Sequence, residues 1–149
     1  MSRFLMLNSI RSMFDRDRSA VERIHAMRAT FGRLSDAKLR AAASQTEDLP
    51  RWIALAATAA FRILGQEMYD VQLRGALALT RGSIAEMQTG EGKTLAAVPA
   101  ISWFAREHRG VHVMTVNDYL ARRDAAWMGG IYSLLGLSVA SVQQEVDAA

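Results

Sequence analysis

Over the first part of the chain, apolar residues recur at intervals of three and four, the spacing of one helix face. Phe4, Leu5, Leu7, Ile10, Met13 and Phe14 form one such stripe, with Arg3 and Arg11 off it and Arg16 and Arg18 just beyond. A second helix is predicted over residues 19–31, with Val21, Ile24, Met27 and Phe31 on one face. Ser35 suits the N-cap of a third over residues 36–44, because its hydroxyl can accept from a first-turn N–H. Residues 45–49 read as a polar connection, and Pro50 fits the first turn of a helix carrying Trp52, Ile53, Leu55 and Phe61 that Gly65 ends.

From Asp70 the pattern changes. Asp70 can cap a short helix over residues 71–79, Arg81 and Gly82 make a turn, and residues 83–87 read as a short strand. A helix follows from Thr94, with Leu95, Ala96, Ala97, Val98, Ala100, Ile101 and Trp103, and Pro99 is expected to bend it. Arg109 and Gly110 close that helix, and the β-branched residues 111–116 predict a second strand. Asn117 or Asp118 caps a helix through Trp127, and residues 137–142 read as a third strand. Strands alternating with helices predict an α/β fold with a parallel sheet of about three strands. The expected organisation is a helical segment over residues 1–66 followed by the α/β unit over residues 67–149. A sheet that small leaves an open edge, which predicts self-association.

A chain of 149 residues is long enough to bury a substantial core. Half the residues are hydrophobic and 22% are charged, which fits neither a disordered tail nor a membrane-embedded protein. There is no cysteine, hence no disulfide and no thiolate metal site. The longest apolar stretches, such as residues 53–61, fall below the ~18 residues of a spanning helix. Residues 1–14 are broken by Asn8, Ser9 and Arg11 and carry no signal-peptide cleavage pattern, so the expected location is the cytoplasm. A net charge of +3 and a pI near 9.8 favour acidic surfaces in general: nucleic acid, anionic lipid or an acidic protein. The basic amphipathic stripe at the N-terminus either packs on the protein or meets an anionic membrane surface or a partner.

The chemically richest run is Met87-Gln88-Thr89-Gly90-Glu91-Gly92-Lys93-Thr94. Gly90 and Gly92 can take left-handed backbone angles at little steric cost, turning successive N–H groups toward an anion. Lys93 can reach outer phosphates, Thr94 can place its hydroxyl on Mg²⁺, and the following helix adds positive charge at its N-terminus. Met87 stands where the general phosphate-loop pattern has its first glycine. A surface turn with a solvated lysine is the plain alternative. His25, His108 and His112 have no neighbours at metal-ligand spacing and read as structural or solvated.

Three blocks resemble the SecA family of preprotein-translocation motor ATPases. They are Met68-Tyr69-Asp70-Val71-Gln72-Leu73, the run from Ile84 through Lys93 and Thr94 to Leu95, and the run from Gly110 through Asn117-Asp118-Tyr119-Leu120-Ala121-Arg122-Arg123-Asp124 to Leu137. Methionine at position 87 is usual in that family. The resemblance covers nearly the whole chain and implies an N-terminal portion of such a motor with a DEAD-like, RecA-like nucleotide-binding fold.

The resemblance further implies ATP or ADP with Mg²⁺ as cofactors. It makes Gln72 the adenine-reading glutamine, places Tyr69 near the base unless it packs in the core, and assigns Gly90, Glu91, Gly92, Lys93 and Thr94 to phosphate, with Thr94 also on the metal. Glu91 is expected to contribute its backbone amide, since its carboxylate repels the ligand. No residue is assigned as catalytic. The acidic Mg²⁺ motif and second motor domain of the family have no counterpart in these residues, so the chain alone is expected to bind nucleotide without turnover. Implied partners are the remaining SecA domains or a SecA-like partner, the translocation channel, preprotein and an anionic membrane, with a location at the inner face of the plasma membrane. A short nucleotide- or partner-binding module without ATPase activity is the alternative. Arg122, Arg123 and Asp124 read as a solvated face, and no specific nucleic-acid binding is expected.

Overall fold

A computed structural model of the chain describes residues 2–107 and 110–143, with side chains from residue 17 onward. The elements in order are α1 (Ser2–Phe31), α2 (Asp36–Ser44), α3 (Leu49–Leu64), α4 (Asp70–Thr80), α5 (Lys93–Ala105) and α6 (Asp118–Leu134). Local chemistry accounts for most of their ends. Ser35 caps α2 by accepting from the Lys38 N–H, Asp48 caps α3 through the Arg51 N–H, and Asn117 caps α6 through the Leu120 N–H. Gly65 ends α3 at φ 67°, a left-handed angle that costs glycine little.

The expected N-terminal pair of helices is one continuous helix, α1. Neither Gly nor Pro lies between Ser2 and Phe31 to interrupt it. α6 likewise runs past Trp127 to Leu134, and α5 continues through Pro99.

The core centres on α3, which is buried on all sides from Trp52 to Ala60. Val21, Ile24 and Phe31 of α1 reach the same apolar cluster, together with Leu73 and Leu77 of α4, Leu95 and Val98 of α5, and Met128 and Ile131 of α6. One core therefore draws on residues from both sides of position 66. The Trp52 indole N–H donates to Ser102 Oγ at 3.1 Å, and that hydroxyl donates to Pro99 O at 3.1 Å. The pair gives the Trp52 indole N–H and the Ser102 hydroxyl their partners where α3 meets α5. The Arg106 guanidinium lies 3.7 Å from the centroid of Trp103 and donates to Thr46 O, joining the end of α5 to the α2–α3 connection.

Arginines also close helix ends, where the last carbonyls have no intrahelical donor. Arg62 of α3 donates to Phe31 O at 3.1 Å and to Leu34 O, and pairs with Asp36 at 2.6 Å. Arg40 of α2 donates to Ser133 O at 2.6 Å at the end of α6. The planar guanidinium, with its several donors, can serve more than one carbonyl at once.

The parallel sheet predicted from the sequence is absent: among the described residues there is no strand. Residues 83–88, 111–115 and 138–143 run as connections without ladder pairing. Ile84 is 97% exposed and Met114 93%. Propensity for β structure measures how well a side chain suits a half-buried pleated surface. Here the helices around α3 supply most of the buried surface, and among the described residues these runs form no ladder. The Arg109 part of the expected turn lies outside the described residues.

Tyr132 sits in the core at the end of α6, where burial, with a smaller push from the Asp124 carboxylate, raises its phenol from 10.0 to about 12. The folded chain holds this proton more tightly than the unfolded one, so the contribution to stability is complete below the ordinary tyrosine range and is lost as pH rises from about 10 toward 12. Between about pH 9 and 11 the wild type is expected to lose up to about 1.4 kcal/mol more than Tyr132→Phe. Urea unfolding at the two pH values checks this, and equal losses contradict it.

Candidate nucleotide-binding site

The end of the connection at residues 88–92 lies between the start of α4 and the start of α5. These two helices pack closely at Gly75, where a Cβ would fall 3.2 Å from Met87 Sδ and 3.6 Å from Ala96 Cβ. Glycine inside a helix is unfavourable by roughly 0.5–1 kcal/mol relative to alanine. At this position it gives room for the Met87 thioether beside α5.

Gln72 is the brace of the site. Its side chain is buried; Oε1 accepts from the Tyr69 N–H at 3.0 Å and Nε2 donates to Glu91 O at 2.9 Å. One amide thus fixes both the start of α4 and the loop. A carboxamide has two N–H groups and two lone pairs on its oxygen, so each end retains one bonding position. Gly92 backs directly onto this amide: a Cβ there would fall 2.3 Å from Gln72 Nε2. Its φ of 77° independently favours glycine, as does the 90° of Gly90.

Within the loop, the Glu91 carboxylate accepts from the Gln88 N–H at 2.6 Å, and the Glu91 N–H faces Gln88 O at 3.3 Å. The carboxylate is thereby turned onto its own loop. α5 then opens at Lys93, one residue before the expected start, with Gly92 as N-cap and no side chain capping it. Its first-turn N–H groups have no acceptor within the helix, and the exposed Lys93 adds a full positive charge to that end. Thr94 is half-buried in the same turn. Tyr69 is 70% exposed at the start of α4. Two left-handed glycines, an uncapped helix start and a lysine fit a polyphosphate, and Thr94 supplies a hydroxyl where an accompanying Mg²⁺ would need one.

The structure brings Gln72, Glu91 and Gly92 into contact, with Gly90, Lys93 and Thr94 adjoining them along the loop and Tyr69 at the base of α4. Arg122 and Arg123 are exposed on α6, and Arg123 pairs with Asp124 at 2.6 Å. His112 is exposed, and His108 lies outside the described residues. His25 is not solitary: its Nε2 lies 2.8 Å from Asp70 Oδ1. Sequence spacing hides that pair, which joins positions 45 apart. The contact of Gly75 with Met87 had a weak signal in the glycine inside a helical pattern.

Because Gly92 meets a side chain and Gly90 meets nothing within 4 Å, alanine is expected to do more damage at 92. Both substitutions strain the backbone, by roughly 1–3 kcal/mol, and only Gly92→Ala also displaces Gln72. Denaturant midpoints measured side by side check the order; equal losses contradict it.

The sequence model of the SecA DEAD-like domain matches residues 3–149. Protein translocase subunit SecA of Carboxydothermus hydrogenoformans is 46% identical over 140 residues, covering 87% of this chain and 16% of that relative. The subunit of the same name from Xanthomonas campestris pv. campestris strain B100 is 50% identical over 133 residues, covering 82% of this chain and 15% of its own length. That of Porphyra purpurea is 42% identical over 142 residues, covering 88% of this chain and 16% of its length. The chain thus spans about one-sixth of the length of these curated relatives. The match over nearly all of its residues identifies the chain as a member of the SecA DEAD-like domain family.

Proposed function

We propose that the chain is the ATP-contacting N-terminal portion of a SecA-type motor that couples nucleotide binding and hydrolysis to movement of preproteins across the plasma membrane. The observation that carries this reading is the junction of the loop with α5, where left-handed Gly92, braced by Gln72, delivers Lys93 to an uncapped helix start. In this reading the N–H groups around Gly90 to Thr94 hold the phosphates, Lys93 offsets their charge and Thr94 helps hold Mg²⁺. The remaining bonding positions of Gln72 meet the adenine edge, with Tyr69 against the base.

The names of the relatives, protein translocase subunits, support the wider assignment. Its partners are then the other SecA domains, the translocation channel and preprotein, with the N-terminal helix meeting anionic lipid. The location is cytoplasmic, peripheral at the inner face of the plasma membrane. Among the described residues no helix is long and apolar enough to cross a membrane.

Calorimetric titration with Mg-ATP tests the site. Lys93→Ala removes one charge-assisted contact and is expected to weaken binding by about tenfold or more. Equal affinity of wild type and variant contradicts the assignment of Lys93 to phosphate.

A further inference from the structure

The segment around Tyr69 is held from outside the site. Arg28 of α1 donates to Met68 O at 3.3 Å and pairs with Glu67. Three residues earlier, His25 meets Asp70 at 2.8 Å. The residues on either side of Tyr69 are therefore both fastened to α1, while the Tyr69 ring stays exposed. The Arg28 side chain is only 10% exposed. A guanidinium so enclosed is held by its partners, and removing them or it disturbs more than a surface ion pair.

Midway along α1, Asp17 pairs with Arg81, the C-cap of α4, at 2.6 Å. The middle of α1 thus meets the end of α4 and its later part meets the start of α4, an antiparallel arrangement. One end of that contact bears on Tyr69 and Gln72, and the other does not.

We infer that Arg28 and His25 are positioning residues for base recognition: α1 sets the place of Tyr69 and Gln72, and so the preference for adenine, without touching the phosphates. This rests on the proposed nucleotide reading. The two ends of that site have separate supports. The phosphate end is built on the loop and the start of α5, whereas the base end is built on residues 67–72, which α1 fastens. The polar link from the base end to the loop is the Gln72 bond to Glu91 O.

The test compares Mg-ATP, Mg-GTP and inorganic tripolyphosphate as titrants of the wild-type chain, Arg28→Met, Asp70→Ala and Asp17→Ala. Arg28→Met keeps the apolar stem over the core, and Asp70→Ala alters an exposed residue, so at least one of the two is expected to fold; circular dichroism reports on both. Wild type is expected to prefer ATP to GTP. Arg28→Met and Asp70→Ala are expected to lose about fivefold or more in ATP affinity while their tripolyphosphate affinity stays unchanged, with Asp17→Ala behaving as wild type. The inference is overturned if ATP and tripolyphosphate weaken together, if neither base-end variant changes, or if Asp17→Ala has the same effect. Wild type that binds tripolyphosphate without preferring ATP also overturns it. Wild type that takes up none of the three sinks the nucleotide reading itself, and the positioning role falls with it.

Discussion

The candidate site depends on a single buried carboxamide. Gln72 joins the Tyr69 N–H to the Glu91 carbonyl, and both bonds are short enough to count in a buried setting where an unmet amide is expensive. The Gly92 backbone lies against that amide so closely that any side chain would collide with it. Loop shape and helix start consequently rest on one side chain, which also anchors the base-side segment. Lys93 is exposed at the start of α5, directly after the residue so held.

That unit is carried by a helical core. α3 is buried on all sides from Trp52 to Ala60, and its neighbours are fastened to it and to one another by polar contacts: Trp52 to Ser102, Arg62 to the last carbonyl of α1, Arg40 to the end of α6. These contacts satisfy groups that helices leave unmet at their termini. α1 contributes both apolar residues to the core and charged residues to the segment around Tyr69. Packing and site geometry therefore share one helix.

What the sequence disclosed follows the range of the forces involved. Ser35, Pro50, Gly65 and Asn117 act within a turn of their own position, and the helix ends they predict are present. The continuity of α1 was obscured by the charged residues 15–18, which interrupt its apolar stripe without breaking its backbone. The strands were misjudged because Val111, Val113, Thr115 and Val116 have β-branched side chains, whereas a strand also needs a partner backbone. In the site, the two glycines and the lysine of the loop were legible from adjacent residues. The Gln72 bond to Glu91, the Gly75 contact with Met87 and the hold of Arg28 on Met68 join distant positions. No local pattern encodes the Gln72 and Arg28 bonds, and a glycine inside a helical run is only a weak sign of the Gly75 contact.

Amide hydrogen exchange in wild type and Gln72→Leu tests the central claim most directly. The Gln88 and Glu91 amides are bonded within the loop, and their protection depends on the shape that Gln72 holds. Removing the carboxamide is expected to speed their exchange by about fivefold to tenfold while the amides of α3 keep their protection. Unchanged exchange in the loop would show that it holds its shape without Gln72, contradicting this account.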